Sequence, residues 1–292
     1  MAGTTIQQEE NRMGVTIALL HPGAMGASVG AAAVAAGATV VWVGEGRSAA
    51  TRARAGEVGL EDAGRLADAL GAADAVLSVC PPHAATQVAE AVASEGFAGI
   101  YVDVNAVSPA TAERVGDAVT AAGASYTDGG IVGPPAWQPG TTRLYLSGAQ
   151  ADAVAAWFAG GPLEAIPLSG GPTAASALKA AYAAWTKGSA ALLLAVRALA
   201  GANGVEAALL DEWDRSLPEL SGRSASTAAR TAPKAWRFSG EMDEIADAFA
   251  AAGLPDGFHR AAAEVYGRLA RFKGAGGVDA EQVLDALREP RP

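Results

Sequence analysis

The run Ile17-Ala18-Leu19-Leu20-His21-Pro22-Gly23-Ala24-Met25-Gly26 carries the pattern most readily turned to chemistry. An apolar segment enters a glycine-bearing turn and leaves as a helix-forming stretch. Such a turn aims free backbone N–H groups and the positive end of a helix dipole at an anion. A dinucleotide pyrophosphate suits it. Gly23 lets the backbone approach the phosphates, and Gly26 lets helix and strand pack closely. His21 stands where the G-x-G-x-x-G fingerprint has its first glycine. A turn of this kind can be purely structural; the strand before it, the helix after it and a second strand at the right distance favour the cofactor reading.

The segment Gly44-Glu45-Gly46-Arg47-Ser48 follows that second strand. An acid there favours the free ribose hydroxyls of NAD, whereas an arginine pairs with the 2′-phosphate of NADP. Both types are present. Arg47 beside Ser48, with Arg52 a helical turn further on, makes a phosphate clamp. NADP(H) is the favoured cofactor and NAD the other option; the alternative for Arg47 is an ordinary solvated arginine.

These residues need a scaffold, and the first half of the chain predicts one. Val15–Leu20, Thr39–Val43, Ala75–Cys80 and Ile100–Val104 read as buried strands. Ala24–Ala36 (ended at Gly37), Asp62–Leu70, about Ala84 to Ser94, and a stretch from near Pro109 read as helices. Ser125–Asp128, Arg143–Ser147 and Glu164–Leu168 read as further strands of the same sheet. Alternation of this length argues for βαβ units and a mostly parallel sheet. After Leu168 the pattern changes. Pro172–Ala200 is continuously helix-compatible, and no strand is expected from Gly204 to Arg288, where Val205–Trp213, Met242–Ala252 and Phe258–Phe272 read as helices. The turn Ser169-Gly170-Gly171-Pro172 marks the domain boundary.

Composition narrows the function. The formal net charge of −10 lacks the basic footprint of a nucleic-acid binder. Cys80 is the single cysteine, which rules out an internal disulfide and a thiolate zinc cluster and fits a reducing cytoplasm. Lysines and arginines interrupt the longest apolar stretches, so no membrane span is expected; the opening MAGTTIQQEENR is polar and acidic, so no signal peptide is expected, and residues 1–12 read as a disordered tail. His21, His83 and His259 show no metal-ligand spacing, so no metal is expected.

In this order along the chain, the motifs resemble those of the β-hydroxyacid dehydrogenase and 6-phosphogluconate dehydrogenase superfamily. The likeness covers nearly everything after residue 13. It rests on the Gly23–Gly26 turn, Gly46-Arg47-Ser48, Cys80-Pro81-Pro82 after the fourth strand and Asp103-Val104-Asn105-Ala106-Val107-Ser108-Pro109 after the fifth. Asp128-Gly129-Gly130-Ile131-Val132-Gly133-Pro134 resembles the family's substrate segment, and Lys179 lies on the interdomain helix. In the C-terminal half, Ser176-Ala177-Leu178-Lys179, Thr186-Lys187-Gly188 and Glu241-Met242-Asp243-Glu244-Ile245 are closest to a poorly characterised bacterial branch. The resemblance implies an α/β Rossmann dinucleotide-binding domain over residues 13–168. A long interdomain helix would join it to an all-helical domain for substrate and dimerisation over residues 169–292. A homodimer is expected, because a long helix with small apolar residues all round needs more partners than one small domain offers.

The resemblance also assigns roles. It makes Lys179 the general acid/base for hydride transfer between the nicotinamide and a hydroxyl or carbonyl carbon of a small hydroxy-acid-like substrate. A lysine can do this where burial and nearby positive charge disfavour its ammonium form. Gly23, Ala24, Met25, Gly26, Arg47, Ser48, Cys80, Pro81, Pro82 and Asn105 would hold the cofactor. Val132, Gly133 and Pro134 would hold the substrate, with Tyr182 and Thr186, which helical spacing places with Ala183 on the face of Lys179. Three positions depart from the family. Ala183 replaces an asparagine, Val132-Gly133-Pro134 replaces Ser-Gly-Gly, and Gly240-Glu241 stands where a second lysine is common. Simple 3-hydroxy-carboxylate specificity is therefore not carried over. Imine (C=N) reduction on the same architecture is the alternative activity, and a non-catalytic NADP-binding module the alternative class. The cluster Arg223, Arg230, Lys234 and Arg237 reads either as an anion holder or as a solvated face, and Trp137, Trp236 and Phe238 as core, with the lining of a larger apolar pocket as the alternative.

Overall fold

The computed structural model describes residues 14–289; the tail expected over residues 1–12 lies outside them. The chain divides into two compact units, one running to Lys179 and the other starting at Ala180.

The first unit is built on an eight-stranded sheet: β1 (Thr16–Leu19), β2 (Thr39–Trp42), β3 (Glu61–Asp62), β4 (Ala75–Ser78), β5 (Ile100–Asp103), β6 (Ser125–Val132), β7 (Thr142–Ser147) and β8 (Leu163–Pro167). Their order is β3-β2-β1-β4-β5-β6-β7-β8. Pairing is parallel from β3 to β6, antiparallel between β6 and β7, and parallel again to β8. The strand order reverses beside β1, so the crevice at the carboxyl ends of β1 and β4 is where an open sheet of this kind takes its ligand. β1 and β4 are near-continuous apolar runs because both faces are covered. Ile17 and Leu19 point into one core with Leu144 and Phe158, while Ala18 and Leu20 point into the other with Tyr101 and Val115.

Helices α1 (Ala24–Ala35), α2 (Ala49–Glu57), α3 (Leu66–Ala72), α4 (Ala85–Ser94), α5 (Pro109–Ala121) and α6 (Ala151–Ala156) connect the strands. The Ala/Gly-rich α1 buries Gly26, Ala27, Ser28, Val29 and Gly30, which is why small residues run around it. Ser108 caps α5 by accepting from Thr111 N at 3.2 Å, with Pro109 in the first turn where its missing N–H costs nothing.

Three expectations shift. The helix expected over Asp62–Leu70 starts only at Leu66. Glu61–Asp62 pair with β2 instead, and the Asp62 carboxylate accepts from Gly64 N (2.9 Å) and Arg52 (2.7 Å) in a turn that delays the helix. The strand expected to reach Cys80 stops at Ser78, where Cys80 N turns to donate to Asn105 Oδ1 at 2.5 Å. β6 runs four residues past Asp128, through the family's substrate segment, because β7 pairs with it out to Val132.

Helix α7 (Ala174–Ala202) begins in the first unit and supplies the start of the second. The second unit continues with α8 (Glu206–Ser216), α9 (Leu220–Thr231), α10 (Ala235–Ala251), α11 (Gly257–Arg268) and α12 (Ala280–Arg288), around a core that includes Leu194, Met242, Tyr266 and Leu284. Among its described residues no strand forms, as expected. No described helix is long and apolar enough to cross a membrane.

Candidate functional site

The amino end of α1 sits at the carboxyl end of β1. Its N-cap, Gly23, has no side chain to bond the first turn, and that turn holds no acidic residue. The uncapped N–H groups therefore remain available to an anion. The turn is tight. A Cβ on Gly26 would lie 2.2 Å from the His21 carbonyl oxygen and 3.5 Å from Val79 Cβ, so Gly26 keeps the helix both on its own turn and against the end of β4.

Two arginines lie against this turn. Arg47 donates to the Leu20 carbonyl at 3.4 Å and Arg54 to the Pro22 carbonyl at 3.2 Å. Arg47 Nε and His21 Nδ1 are buried with no partner among the described residues. Burial, reinforced by Arg47, holds the His21 imidazole down at about 4, so it is neutral near pH 7. Ser48 is the N-cap of α2, accepting from Thr51 N at 3.2 Å. Arg52 does not join Arg47 in a clamp: it is tied to Asp62 and, at 2.5 Å, to the Gly44 carbonyl. Arg54, on the same helix, was not legible as a site residue because nothing in the sequence says that α2 folds back over Pro22. A dinucleotide fits here. The uncapped turn would take its pyrophosphate, Arg47 offers unmatched donor capacity, and no described carboxylate pairs with Arg47.

At the ends of β4 and β5, Asn105 is a hub. Its side-chain oxygen accepts from Cys80 N, and its amide donates to Ser78 Oγ at 3.0 Å and to Asp103 Oδ1. This locks Cys80-Pro81-Pro82 beside the crevice. Burial, with the nearby Asp103 carboxylate, pushes the Cys80 thiol up to about 12, which leaves it inert as a nucleophile. Asp103 is itself buried, and burial raises its carboxyl to about 7.

Lys179 is positioned from β6. The buried Asp128 carboxylate accepts from Ser176 N (2.8 Å), Ser176 Oγ (2.6 Å) and Ser147 Oγ (3.1 Å), while Ala175 N donates to Ser147 Oγ at 3.0 Å. Together, Asp128 and Ser147 cap the amino end of α7 from the sheet. Gly130 lets the helix come close: a Cβ there would lie 2.7 Å from the Ala175 carbonyl and 3.0 Å from Lys179 Cβ. One turn after Ser176, Lys179 Nζ donates to the Ile131 carbonyl at 2.6 Å. Burial brings its amine down to about 8. Val132 is buried at the end of β6, while Gly133 and Pro134 are exposed. The Pro134 carbonyl accepts from Thr142 Oγ1 at 2.6 Å. Ser28, read only as part of a helix, joins the two halves of this unit's site. Its hydroxyl donates to the Met25 carbonyl (2.8 Å) and accepts from Ala136 N (3.0 Å), just beyond the segment that resembles the family's substrate loop.

In the second unit the expected face splits. Ala183 is buried in that unit's core, whereas Tyr182 and Thr186 are exposed, with Thr186 Oγ1 donating to the Tyr182 carbonyl at 3.1 Å. The asparagine-to-alanine departure is thus a packing choice: an amide at that position would be buried among alanines. Lys187 pairs with Glu241 and lies 4.4 Å from the centre of the Phe238 ring. Of the aromatics expected in the core, Phe238 packs on Tyr266 at 5.4 Å, but Trp236 lies under Lys273 and Arg237 and Trp137 is exposed. Among the described residues no group of three or more His, Cys, Asp or Glu side chains is placed to hold a metal ion.

The fold so defined is a Rossmann sheet followed by a helical unit, and known structures share it. The chain aligns with a conserved hypothetical protein from Sinorhizobium meliloti at 27% identity, covering 94% of this chain and 96% of that one, with a TM-score of 0.66. It aligns with the 3-hydroxyisobutyrate dehydrogenase of Mycobacterium tuberculosis at 19% identity, over 95% and 100%, with a TM-score of 0.70. A reductive aminase from Aspergillus terreus, in complex with NADPH and ethyl levulinate, aligns at 21% identity over 94% and 100%, with a TM-score of 0.55. Residues 200–269 match the family model described as a domain of unknown function, DUF1932. No curated protein sequence matches the chain. These likenesses bear out the resemblance at the level of fold. The DUF1932 match falls in the helical half, where the sequence resembled a poorly characterised branch.

Proposed function

We propose that the chain is an NADP-dependent oxidoreductase that transfers hydride between the nicotinamide and a hydroxyl or carbonyl carbon of a small hydroxy-acid-like molecule. The observation that carries this reading is Lys179: a largely buried amine, lowered to about 8 and moored on Ile131 O beside the segment that resembles a substrate loop. The dinucleotide supplies the hydride; the chain's own residues bind, orient and move a proton. The α1 turn and Arg47 hold the phosphates, with Arg54 steadying the turn. The Asn105 hub fixes the Cys80-Pro81-Pro82 wall, and Asp128 sets the helix that carries Lys179. Lys179 Nζ takes the proton from a hydroxyl in oxidation or returns it to the oxygen in reduction. An amine lowered to about 8 is populated in both states near neutral pH, as such a role requires.

Reduction of a C=N bond is the second reading. It is favoured by the missing hydroxyl in Val132-Gly133-Pro134 and by the buried Ala183, which together remove two groups suited to a hydroxy-carboxylate. The proposal also includes a homodimer, supported by the length of α7 and its exposed Leu199, and a cytoplasmic setting, supported by the single cysteine.

Fluorescence titration with NADPH and NADH tests the reading. NADPH is expected to bind more tightly, with the preference lost in Arg47→Ala. A screen of hydroxy acids, aldehydes and imines then finds turnover that Lys179→Ala abolishes while NADPH binding is spared. Binding of neither nucleotide defeats the dehydrogenase reading. Tight NADPH binding whose biological effect survives Lys179→Ala points to a binding module.

A further inference from the structure

The second unit holds a cleft of about 540 Å³, open to solvent past Trp185 and Leu192, between α7 on one side and α8 and α9 on the other. That volume is within the usual range for small-molecule sites, roughly 300–1,000 Å³. Its floor is Trp213, which is 8% exposed, together with Leu193 and the buried Thr227. Ser189 also lines it, and the Ser189 hydroxyl oxygen is buried with no partner among the described residues. A buried hydroxyl left in that state is uncommon in a folded interior.

The exposed edge is cationic. Arg223 and Arg230 lie two turns apart on α9, hence on one side of that helix. Arg230 Nε donates to the Ser226 carbonyl at 3.2 Å. Neither guanidinium pairs with a described carboxylate, and no Asp or Glu lines the cavity. In a chain of formal net charge −10, two arginines without acidic neighbours in the wall make a local anion site against the overall field.

We propose that this cavity binds a small amphipathic anion, with an aromatic or branched apolar body against Trp213 and Leu193 and its carboxylate or sulfonate end between Arg223 and Arg230. An apolar groove for another helix would not need paired cations at the edge. The cations also lift the basic cluster out of the role of a mere solvated face, for these two members. Arg237 stacks on Trp236 instead. The site lies wholly in the helical unit and has Thr186, which the resemblance gives to the substrate, in its wall; no residue of the dinucleotide turn lines it.

Calorimetry on the full chain tests it with two probes: 8-anilinonaphthalene-1-sulfonate and its uncharged counterpart N-phenyl-1-naphthylamine. The sulfonate is expected to bind at one site per chain. The double variant Arg223→Gln/Arg230→Gln, both at exposed positions and so safe for folding, should weaken the sulfonate about tenfold or more and the neutral probe less than about twofold, since a tenfold change is about 1.4 kcal/mol. Saturating NADPH should leave the sulfonate isotherm unchanged. The proposal is overturned by no saturable sulfonate binding, by binding that the double variant leaves intact, or by displacement with NADPH. It is also overturned if light scattering shows a dimer that takes up the sulfonate only on dissociation, because a second copy then fills the cavity.

Discussion

Asp128 and Ser176 are 48 residues apart in sequence, yet the Ser176 hydroxyl and backbone N–H both donate to the same buried carboxylate, at 2.6 and 2.8 Å. A strand residue thereby caps a helix that lies far from it along the chain. Asp128→Ala leaves both Ser176 donors short of an acceptor, while the Ser147 hydroxyl can still donate to the Pro172 carbonyl at 3.2 Å. The expected loss is about 2–4 kcal/mol, more than an ordinary cap because the groups are buried. Ser176→Ala, which keeps the backbone bond, should cost about 1 kcal/mol. Urea unfolding of both variants measures the difference; equal losses would mean the carboxylate acts only through the hydroxyl.

Lys179 predicts a pH limb. Under the proposed role, the ammonium would be the proton donor in carbonyl reduction, so kcat should fall as the pH rises through about 8, the value to which burial brings the amine. In oxidation the neutral amine is the base, and kcat should rise through the same value. Lys179→Ala should lower kcat by roughly 10²–10⁴ and remove the limb. A limb that persists in that variant belongs to another group.

The dinucleotide turn makes a paired prediction. Gly26→Ala drives a methyl into the His21 carbonyl, whereas a Cβ on Gly23 meets nothing within 4 Å. Gly26→Ala should therefore destabilise the fold, by about 1–3 kcal/mol as overpacking does, and abolish NADPH binding. Gly23→Ala should keep the melting temperature and weaken NADPH binding alone. Thermal melts with and without NADPH separate the two.

Asp103 ties stability to pH. Its carboxyl stands at about 7 in the fold because of burial, against 3.8 for the free group. Between those values the folded chain keeps a proton that the unfolded chain has lost. This group's contribution is therefore full below about pH 4, weakens as the pH rises to about 7 and is flat above. The change is on the order of 4 kcal/mol. Asp103→Asn should flatten that part of the profile. Urea midpoints across this range provide the check, and an unchanged slope in the variant would assign it elsewhere.

Glu219 is the one described non-glycine residue with positive φ, at 84°, and it opens α9. The left-handed region costs an ordinary residue about 1 kcal/mol. Glu219→Gly should stabilise the chain by up to that amount, less the extra freedom of the unfolded glycine. A lowered melting temperature would show that the Glu219 side chain contributes more than the strain removes.

The sheet was legible because fully buried parallel strands write themselves as unbroken apolar runs: Thr16–Leu19 and Ile100–Asp103 fall within the expected segments. So was α7, whose residues are helix-compatible without interruption. The short α2 was not, because AATRARAGE carries little apolar pattern. Nor was α9, whose sequence of serines, arginines and alanines reads as a turn until packing decides it. For α12 the signal was present: Asp279 and Gln282 form a capping box. At the candidate site, local motifs and the resemblance pointed to Gly23–Gly26, Arg47 and Lys179. The parts that hold them came from afar. Ser28 meets Ala136, Asp128 meets Ser176, and Arg54 meets Pro22, and no spacing rule connects residues that only the folded sheet makes neighbours.

The Ser28 hydroxyl has both its bonds committed, one to the Met25 carbonyl and one to Ala136 N. For anyone grafting a loop between β6 and β7 to recruit new substrates, position 28 travels with the graft. A transplanted loop that arrives without a serine, or another small donor-acceptor, at that helix position would lose its mooring, so the inheritable module is the loop plus one distant side chain.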